Sequence, residues 1–574
     1  MPDIAANERS RLRATSWLTA GSIVYDAVAR LARFTAVAIL TLLTSCSPGL
    51  YVDSADRETN SLLREYDRRV LGDRAGSITY PKELPDPSVD VPATTPQPDA
   101  APDADPASGT GASSAAAAAP IEIDLTKSLQ LAFDSSRDFK TQTESLYLQG
   151  LGFTLTRYNF GPILNSAISY LWNGREDSTS SDGYAFRSGV SQILPTGGTL
   201  NVEGLLAGNR NVEGNFFNDD GTTNHNSLVA VSLRQPLLRG AGREVAYEAL
   251  TQGERNLIYG VRSFELFRED FAIQVANSYY QLQSQKLRLA NDEQYYKDSI
   301  FDRKKAEALR QVDRYKEEDV FLARRREIAA EDALLVSRTT FQLALDDFRI
   351  LLGLPPSTAI RIQDEEPTFQ QVRLDPASAV EAAQSNRLDV HTQHDQVEDA
   401  ERQVRLAANN LLADVDLLAG FGYDGNGTGH RGLSPDEAHG TFGLTVELPL
   451  NRQAERNSYR ASLISLERAR RSAEQQLDEV QRDVLNQLRE LQQLEKRIEL
   501  QTEQIERERR AVAITQVRYE SGDAITRDVL DARQSLATAQ NALIDLKVEH
   551  YIGRLRLLRN MGIFFVNENG MWHT

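Results

Sequence analysis

From Glu455 to Tyr519 the chain contains neither proline nor glycine. At 1.5 Å per residue, a single α-helix over this stretch reaches about 100 Å. Its apolar residues keep a heptad: Leu477, Val484, Leu491, Ile498, Ile505, Val512 and Tyr519 fall at every seventh position, with Val480, Leu488 and Leu494 on a second, less regular seam. A stripe of that period is buried only by partner helices wound beside it. Arg243 to Arg310 is a matching stretch, and second helices are predicted over 315–352 and 524–560, stopped by Gly353-Leu354-Pro355-Pro356 and by Gly562. Each pair reads as a long antiparallel hairpin whose narrow tip turns at Asp313 or at Gly522.

The two hairpins belong to a longer internal repeat. Asp319-Val320-Phe321-Leu322-Ala323-Arg324 returns 209 positions later as Asp528-Val529-Leu530-Asp531-Ala532-Arg533, and Gly353 returns as Gly562 in the same register. Upstream, Gln235-Pro236-Leu237 is answered by Leu448-Pro449-Leu450, and Ile123-Asp124 by Leu374-Asp375. A unit of roughly 200 residues that passes from helix to strand and back is a duplicated domain, not a solenoid repeat. The expected boundaries are a leader over 1–45, an anchored segment over 46–85, a Pro/Ala/Ser/Asp-rich linker over 86–120, repeats over 121–370 and 371–565, and an unstructured tail over 566–574. The linker is too poor in large apolar side chains to offset the entropy of ordering it.

Between the helices the period changes to two. Phe442, Leu444, Val446, Leu448 and Leu450 alternate with Thr441, Gly443, Thr445, Glu447 and Asn451, and Val415, Leu417, Ala419, Phe421 and Tyr423 alternate with Asp414, Asp416, Leu418, Gly420 and Asp424. The first repeat has about 38 residues more in this region. They read as an added hairpin, with alternation over 164–172, 184–194, 200–208 and 228–235 and a turn at Pro195-Thr196-Gly197-Gly198. Four strands are therefore expected from the first repeat and two from the second. Alternation alone fits either a soluble antiparallel sheet with one buried face or a transmembrane strand with lipid on one side and water on the other. Tyr170, Trp172 and Tyr184 suit an aromatic girdle.

The N-terminal region bears on that choice. Leu31 to Leu43 is an apolar run too short to span a bilayer, with Arg30 before it and Leu43-Thr44-Ser45-Cys46 at its end. It resembles a bacterial lipoprotein signal, which implies acylation of Cys46; the alternative is a buried helix with an incidental Cys. The run begins some thirty residues in, later than a compact signal, so the expected translation start lies downstream, near Val24. An exported chain without an apolar transmembrane helix crosses a bilayer only as closed β structure. The net charge of −18 and the lack of any basic, aromatic-rich patch exclude a nucleic-acid partner.

The run Val517-Arg518-Tyr519-Glu520-Ser521-Gly522-Asp523-Ala524-Ile525-Thr526-Arg527-Asp528-Val529-Leu530-Asp531-Ala532-Arg533-Gln534 resembles the signature of TolC-like outer-membrane efflux proteins. Together with the repeated order of elements, the resemblance covers about 121–565. It implies an α+β membrane protein: a trimeric transmembrane β-barrel continued by a long antiparallel α-helical coiled-coil barrel. It further implies a homotrimer, a periplasmic adaptor, an inner-membrane transporter of RND, ABC or MFS type, and outer-membrane lipid as partners. The expected role is the exit duct of a tripartite efflux or type I secretion system. By the same resemblance Tyr519, Asp528 and Asp531 form a periplasmic gate. Where some members have an arginine across the gate, this chain has Ala524. The alternative is a periplasmic coiled-coil adaptor or tethering lipoprotein with a soluble β domain.

Physics supplies a gate reading and a plain one. Asp528 and Asp531 are three apart on a helix and share a face, so copies around an axis gather carboxylates at an opening that favours cations. Asp523 and Asp528 also suit a helix N-terminus in their own right. Asp313, Arg314, Gly522 and Arg527 at the tips either contact an adaptor or are simply solvated. Gly427-Thr428-Gly429-His430-Arg431-Gly432 imitates a dinucleotide fingerprint but leads into a strand, so it reads as a surface loop. The seven His and the lone Cys have no metal-ligand spacing, no nucleophile lies beside a base, and no cofactor or enzymatic centre is expected.

Overall fold

The computed structural model describes residues 48–72, 121–174, 179–213, 223–312, 316–363, 369–428, 435, 437–448, 450–521, 523–567 and 570–573. The leader, Cys46, the 86–120 linker, Asp313, Arg314 and Gly522 lie outside the described residues. The chain divides into two units, Met1–Leu62 with Glu83–Asp99 and Leu63–Lys82 with Ala100–Thr574, and the break falls within helix α1 (Pro48–Leu71). Of the first unit only the helical residues 48–62 are described.

The second unit runs β1 (Ile121–Ile123), α2 (Leu125–Ser135), α3 (Arg137–Phe160), then four strands β2 (Ile163–Gly174), β3 (Thr179–Ile193), β4 (Thr199–Glu213) and β5 (Thr223–Pro236). A short turn of helix, α4 (Arg243–Ala246), leads into the hairpin α5 (Glu248–Gln311) and α6 (Glu317–Leu351). The order then recurs as β6 (Ile360–Ile362), α7 (Pro376–Asn386), α8 (Leu388–Asn409), β7 (Asp414–Thr428), β8 (Glu437–Glu447), α9 (Gln453–Ser521) and α10 (Thr526–Asn560), with a closing pair β9 (Phe565–Val566) and β10 (Trp572–His573). The 69 residues of α9 give about 100 Å of helix. Val484, Leu491, Ile498 and Ile505 of its heptad are buried, as are Val480, Leu488 and Leu494 of the second seam. Leu477 is 39 % exposed. There the partner changes: α10 ends at Asn560, beside Val480 and Val484, and beyond it α9 meets α8 through polar pairs, Gln476 to Asp389 at 3.1 Å and Arg470 to Glu401 at 3.0 Å.

Matching positions of the two halves use the same local devices. Asp124 caps α2 by accepting from the Lys127 N–H at 2.7 Å, and Asp375 caps α7 by accepting from the Ser378 N–H at 3.0 Å. Gly353 (φ 73°) and Gly562 (φ 68°) end α6 and α10 in the left-handed region. Each is also pressed against a helix junction: an added Cβ would lie 2.1 Å from the Ser135 carbonyl oxygen in one case and 2.8 Å from the Asn386 carbonyl carbon in the other.

The main core gathers where the halves meet. β1 pairs in parallel with β6, and Ile123, Leu129, Phe271, Tyr279, Phe348, Leu352 and Phe564 are almost fully buried around that pair. Neither short strand is visible as alternation. The expected loose tail is a correction: Val566 and Phe565 pair antiparallel with Trp572 and His573, and Phe564 and Val566 enter the core. The Trp572 ring lies 5.5 Å from that of Phe564, so apolar burial orders a segment too short to show a period.

Gly353→Ala is expected to lower stability by about 2 kcal/mol or more, since left-handed backbone strain and a backbone clash add together. Gly562→Ala should cost less, its nearest obstruction standing farther off. Thermal unfolding of the two variants checks the order.

Candidate functional site

Two regions fit the roles expected from the sequence: the large sheet and the far end of the second hairpin. The sheet has the order β2-β3-β4-β5-β7-β8, all antiparallel, so β2 and β8 are its edges. Directly opposed residues in antiparallel strands share a face. One row across it reads Leu164, Val190, Val202, Val231, Phe421 and Gly440, and the next reads Leu200, Leu233, Ala419 and Phe442. Ile168, Phe186 and Leu206 form a third row, and Leu417 with Leu444 a fourth. These side chains project outward, Ile168 and Phe442 each 82 % exposed. The reverse face carries Asn165, Arg187, Glu203, Ser232, Arg234, Asp416, Thr441 and His439. Polar groups there satisfy one another: Arg187 pairs with Glu203 at 3.1 Å, His439 with Asp424 at 2.9 Å, and Arg234 donates through Nε to Asp416 at 2.7 Å. Tyr170 and Tyr184 are directly opposed, and the Tyr184 hydroxyl lies 2.7 Å from Nδ1 of His225. The side chain of Trp172 is outside the described residues. Gly427 and Thr428 belong to the end of β7, where they pair with His225 and Asn224, which corrects the expected loop at those two positions.

At the hairpin end, the Asp528 carboxylate accepts from the Ile525 N–H at 3.2 Å and closes the first turn of α10. Asp319 does the same for α6, accepting from the Lys316 N–H at 3.1 Å. Asp531 points elsewhere, to an ion pair with Arg326 of α6. Lys305 of α5 lies over the Tyr519 ring, 4.6 Å from its centroid. One turn on, Arg533 donates to Asp302 of α5 at 3.0 Å. Burial pushes the Asp302 carboxyl up from its ordinary pKa, and Arg533 opposes that shift. The three expected gate residues are thus brought to one end of the hairpin, but each carboxylate has a partner within the chain. Sequence reasoning passed over Arg326, Lys305 and Asp302. The run Arg324-Arg325-Arg326, one helix over from a pair of aspartates, was the available signal. Arg527 is exposed beside Asp528.

His394, Asp395 and Glu398 bring three potential ligand atoms together. The carboxylates there are already engaged by cations, Asp395 by Arg262 at 2.7 Å and by Arg255 at 3.1 Å, Glu398 by Arg255 at 2.8 Å. They tie α5 to α8, with the Tyr259 hydroxyl donating to Asp399 at 2.7 Å in the same network.

Residues 379–562 match the family model described as outer membrane efflux protein, a span that includes the signature run at 517–534. No curated protein matches the chain. Among solved structures the fold is similar to that of the outer-membrane channel OprN, with 16 % identity, a TM-score of 0.59, and coverage of 76 % of this chain and 89 % of that one. It is also similar to the outer membrane protein VceC of Vibrio cholerae, at 18 % identity and a TM-score of 0.56 over 76 % of this chain and 96 % of that one. The MtrE outer membrane channel of Neisseria gonorrhoeae matches at 12 % identity and a TM-score of 0.57, over 76 % and 89 % of the respective chains. At these identities the likeness establishes the fold.

Because Asp528 caps its helix, Asp528→Ala should lower thermal stability by about 1 kcal/mol, and Asp528→Asn should recover most of it. Equal losses in both variants would mean that the carboxylate charge, not the cap, is what matters.

Proposed function

We propose, for a chain that over residues 379–562 belongs to the outer membrane efflux proteins, that it is an exit duct of the outer membrane, serving an inner-membrane pump through a periplasmic adaptor. The observation that carries this reading is the two-faced sheet. One apolar row crosses five of the six strands, from Leu164 to Phe421, and with Ile168, Phe186, Leu206, Phe442 and Leu444 on the same face it leaves large apolar side chains exposed, while polar groups of the reverse face pair with one another. Apolar area on that scale needs lipid or protein against it. Its two edges are strands of 12 and 11 residues, which must be paired to be safe in a bilayer.

Closure between copies answers both needs: β2 of one protomer against β8 of the next, three copies giving about 18 strands. The helices support the same assembly. On α6, Phe321, Ile328 and Leu335, and beside them Val336, Leu343 and Ile350, are exposed at heptad spacing, the pattern of a stripe awaiting a neighbouring helix. The duplication explains the arrangement, since two similar hairpins per chain make a ring of six similar units. In this reading Cys46 carries the lipid anchor, Tyr519, Asp528 and Asp531 stand at the periplasmic gate, and Asp313, Arg314, Gly522 and Arg527 meet the adaptor. A soluble adaptor with a one-sided sheet leaves the exposed apolar face unexplained.

Ile168→Arg tests the wall. A charge on a lipid-facing position costs about 2–4 kcal/mol near the midplane, whereas an exposed position in a soluble domain tolerates it within about 0.5 kcal/mol. Loss of outer-membrane assembly is expected, with native mass spectrometry and planar-bilayer conductance as the readouts. A soluble, folded monomer of the unaltered chain that leaves the membrane in high salt would overturn the duct.

The gate assignment is tested by block. Asp528→Ala with Asp531→Ala should weaken block of the conductance by trivalent cations. Arg326→Ala, which frees Asp531 of its counter-charge, should strengthen it. Block unchanged in both variants removes these aspartates from the gate.

A further inference from the structure

One group of ionisable side chains lies far from both regions and takes no part in either role. Asp67 of α1 and Glu269 of α5 are each 4 % exposed, and Glu265 and Arg268 of α5 are buried with them. Arg268 donates through Nη2 to Glu265 at 2.9 Å and to the Val566 carbonyl oxygen of β9 at 2.6 Å. Around this centre stand Arg68 of α1, Asp270 of α5 and Arg559 of α10, the last two paired with each other at 2.7 Å. Oδ1 of Asp67, Oε2 of Glu265 and Oε2 of Glu269 are buried without a hydrogen-bond partner, as is Nε of Arg268.

Three buried carboxylates facing one fully buried guanidinium leave an excess of negative charge that a low-dielectric site does not hold. A metal ion is a poor remedy, because the three carboxylates do not bring their oxygens within 4.8 Å of one another as a set. A proton suits each of them singly.

We propose that Asp67, Glu265 and Glu269 form a buried proton-binding site, and that its occupancy holds the Leu63–Leu71 part of α1 on α5. The site is the junction of three segments distant in sequence: α1 by Asp67, the long helix by Glu265, Arg268 and Glu269, and the C-terminal hairpin by the Val566 carbonyl. Apolar packing fixes the same contact, the Tyr66 ring meeting Phe153 edge to face at 5.8 Å, so the ionisable group sits beside a surface that closes without it.

Burial, the largest cause, pushes Asp67 up to about 6, with Arg268 opposing. It pushes Glu265 up to about 7, again against Arg268. Glu269 rises to about 9, by burial first and then by the charge of Glu265. Each carboxyl therefore holds its proton in the docked state at a pH where the undocked, hydrated group has lost it. The docked state binds more protons, so docking is strongest in acid and weakens as the pH rises from the ordinary carboxyl range through these values, over about pH 4 to 9. For Asp67 alone, the rise from 3.8 to about 6 makes the docking constant about a hundredfold smaller above its window than below it.

Hydrogen–deuterium exchange of the peptide spanning 63–71, in the full-length protein in detergent at pH 4.5, 6, 7.5 and 9 with times corrected for intrinsic exchange, tests this. Protection should fall at least tenfold from pH 4.5 to 9, while that of the 480–498 part of α9 stays constant. Asp67→Asn, isosteric and neutral, should keep the peptide protected at pH 9. Glu269→Gln, which relieves the site of one charge, should move the loss to higher pH. A wild-type profile that is flat with pH, an Asp67→Asn profile that follows the wild type, or an Asp67→Asn chain in which the peptide is unprotected at every pH would each overturn the proposal.

Discussion

In an antiparallel ladder two opposed residues stand on the same face, and a slip of one residue moves a whole strand's apolar set to the other side. Six strands therefore agree on one apolar face only if every pairing keeps its parity. Leu164, Val190, Val202, Val231 and Phe421 fall in one row across five strands, which requires four registers to be right together. The polar face follows from the same constraint: Arg187 opposes Leu205 and reaches Glu203 diagonally, and His439 opposes Gly422 and reaches Asp424 in the same way. Helix packing then depends on the sheet, because both long hairpins are continuous in sequence with its strands.

How far each element was legible follows from how much contrast its faces carry. In the apolar belt, alternation marked the strands at 164–172 and 414–424 close to where they lie. Past the belt the strands run on through Thr179-Ser180-Ser181-Asp182-Gly183 and Thr223-Asn224-His225-Asn226-Ser227, polar on both faces, and no period of two is left to read. Their partners set their length. The heptad of α9 was legible for the opposite reason, since 69 residues without a breaker sum a weak signal many times over. Leu477 departs from it because a heptad names a face and not the helix that covers that face. β1, β6 and the β9–β10 pair were invisible: two or three residues carry no period, and what places Ile123 and Phe564 is a core assembled from segments hundreds of positions apart.

The candidate gate divides in the same way. Cap chemistry is local, so the helix-start role of Asp528 was available from the sequence beside the gate role that the resemblance implies. The partner of Asp531 was not, because Arg326 is 205 positions away and reaches it only once the two hairpins lie side by side. Exposed arginines on a helix surface are the commonest thing a long helix offers, and nothing within the run Arg324-Arg325-Arg326 marks the third as the one that turns toward α10.

Polar contacts between hairpins also explain why firmness varies along them. Heptad stripes resist separation but not sliding, and register is set by discrete pairs: Ser284 with Asp545 at 3.0 Å and Asn291 with Asn541 at 2.6 Å join α5 to α10 midway. Toward the core these pairs are backed by Phe271, Tyr279 and Tyr280, whose burial makes any shift expensive. From Tyr280 to the end of α5 at Gln311 the helix runs on for about 45 Å. There the charged links include Arg533 to Asp302, which is largely buried, and Arg326 to the more exposed Asp531, and the buried apolar residues beside them, Ala306, Ala323, Val529 and Leu530, are smaller than those of the core. A hairpin packed by large aromatic side chains at one end and by small side chains and ion pairs at the other has its apolar burial concentrated toward the body. Tyr519, Asp528 and Asp531 stand at the other end, so what holds the candidate gate residues in place is a set of named pairs and small side chains, where the body is held by aromatic burial.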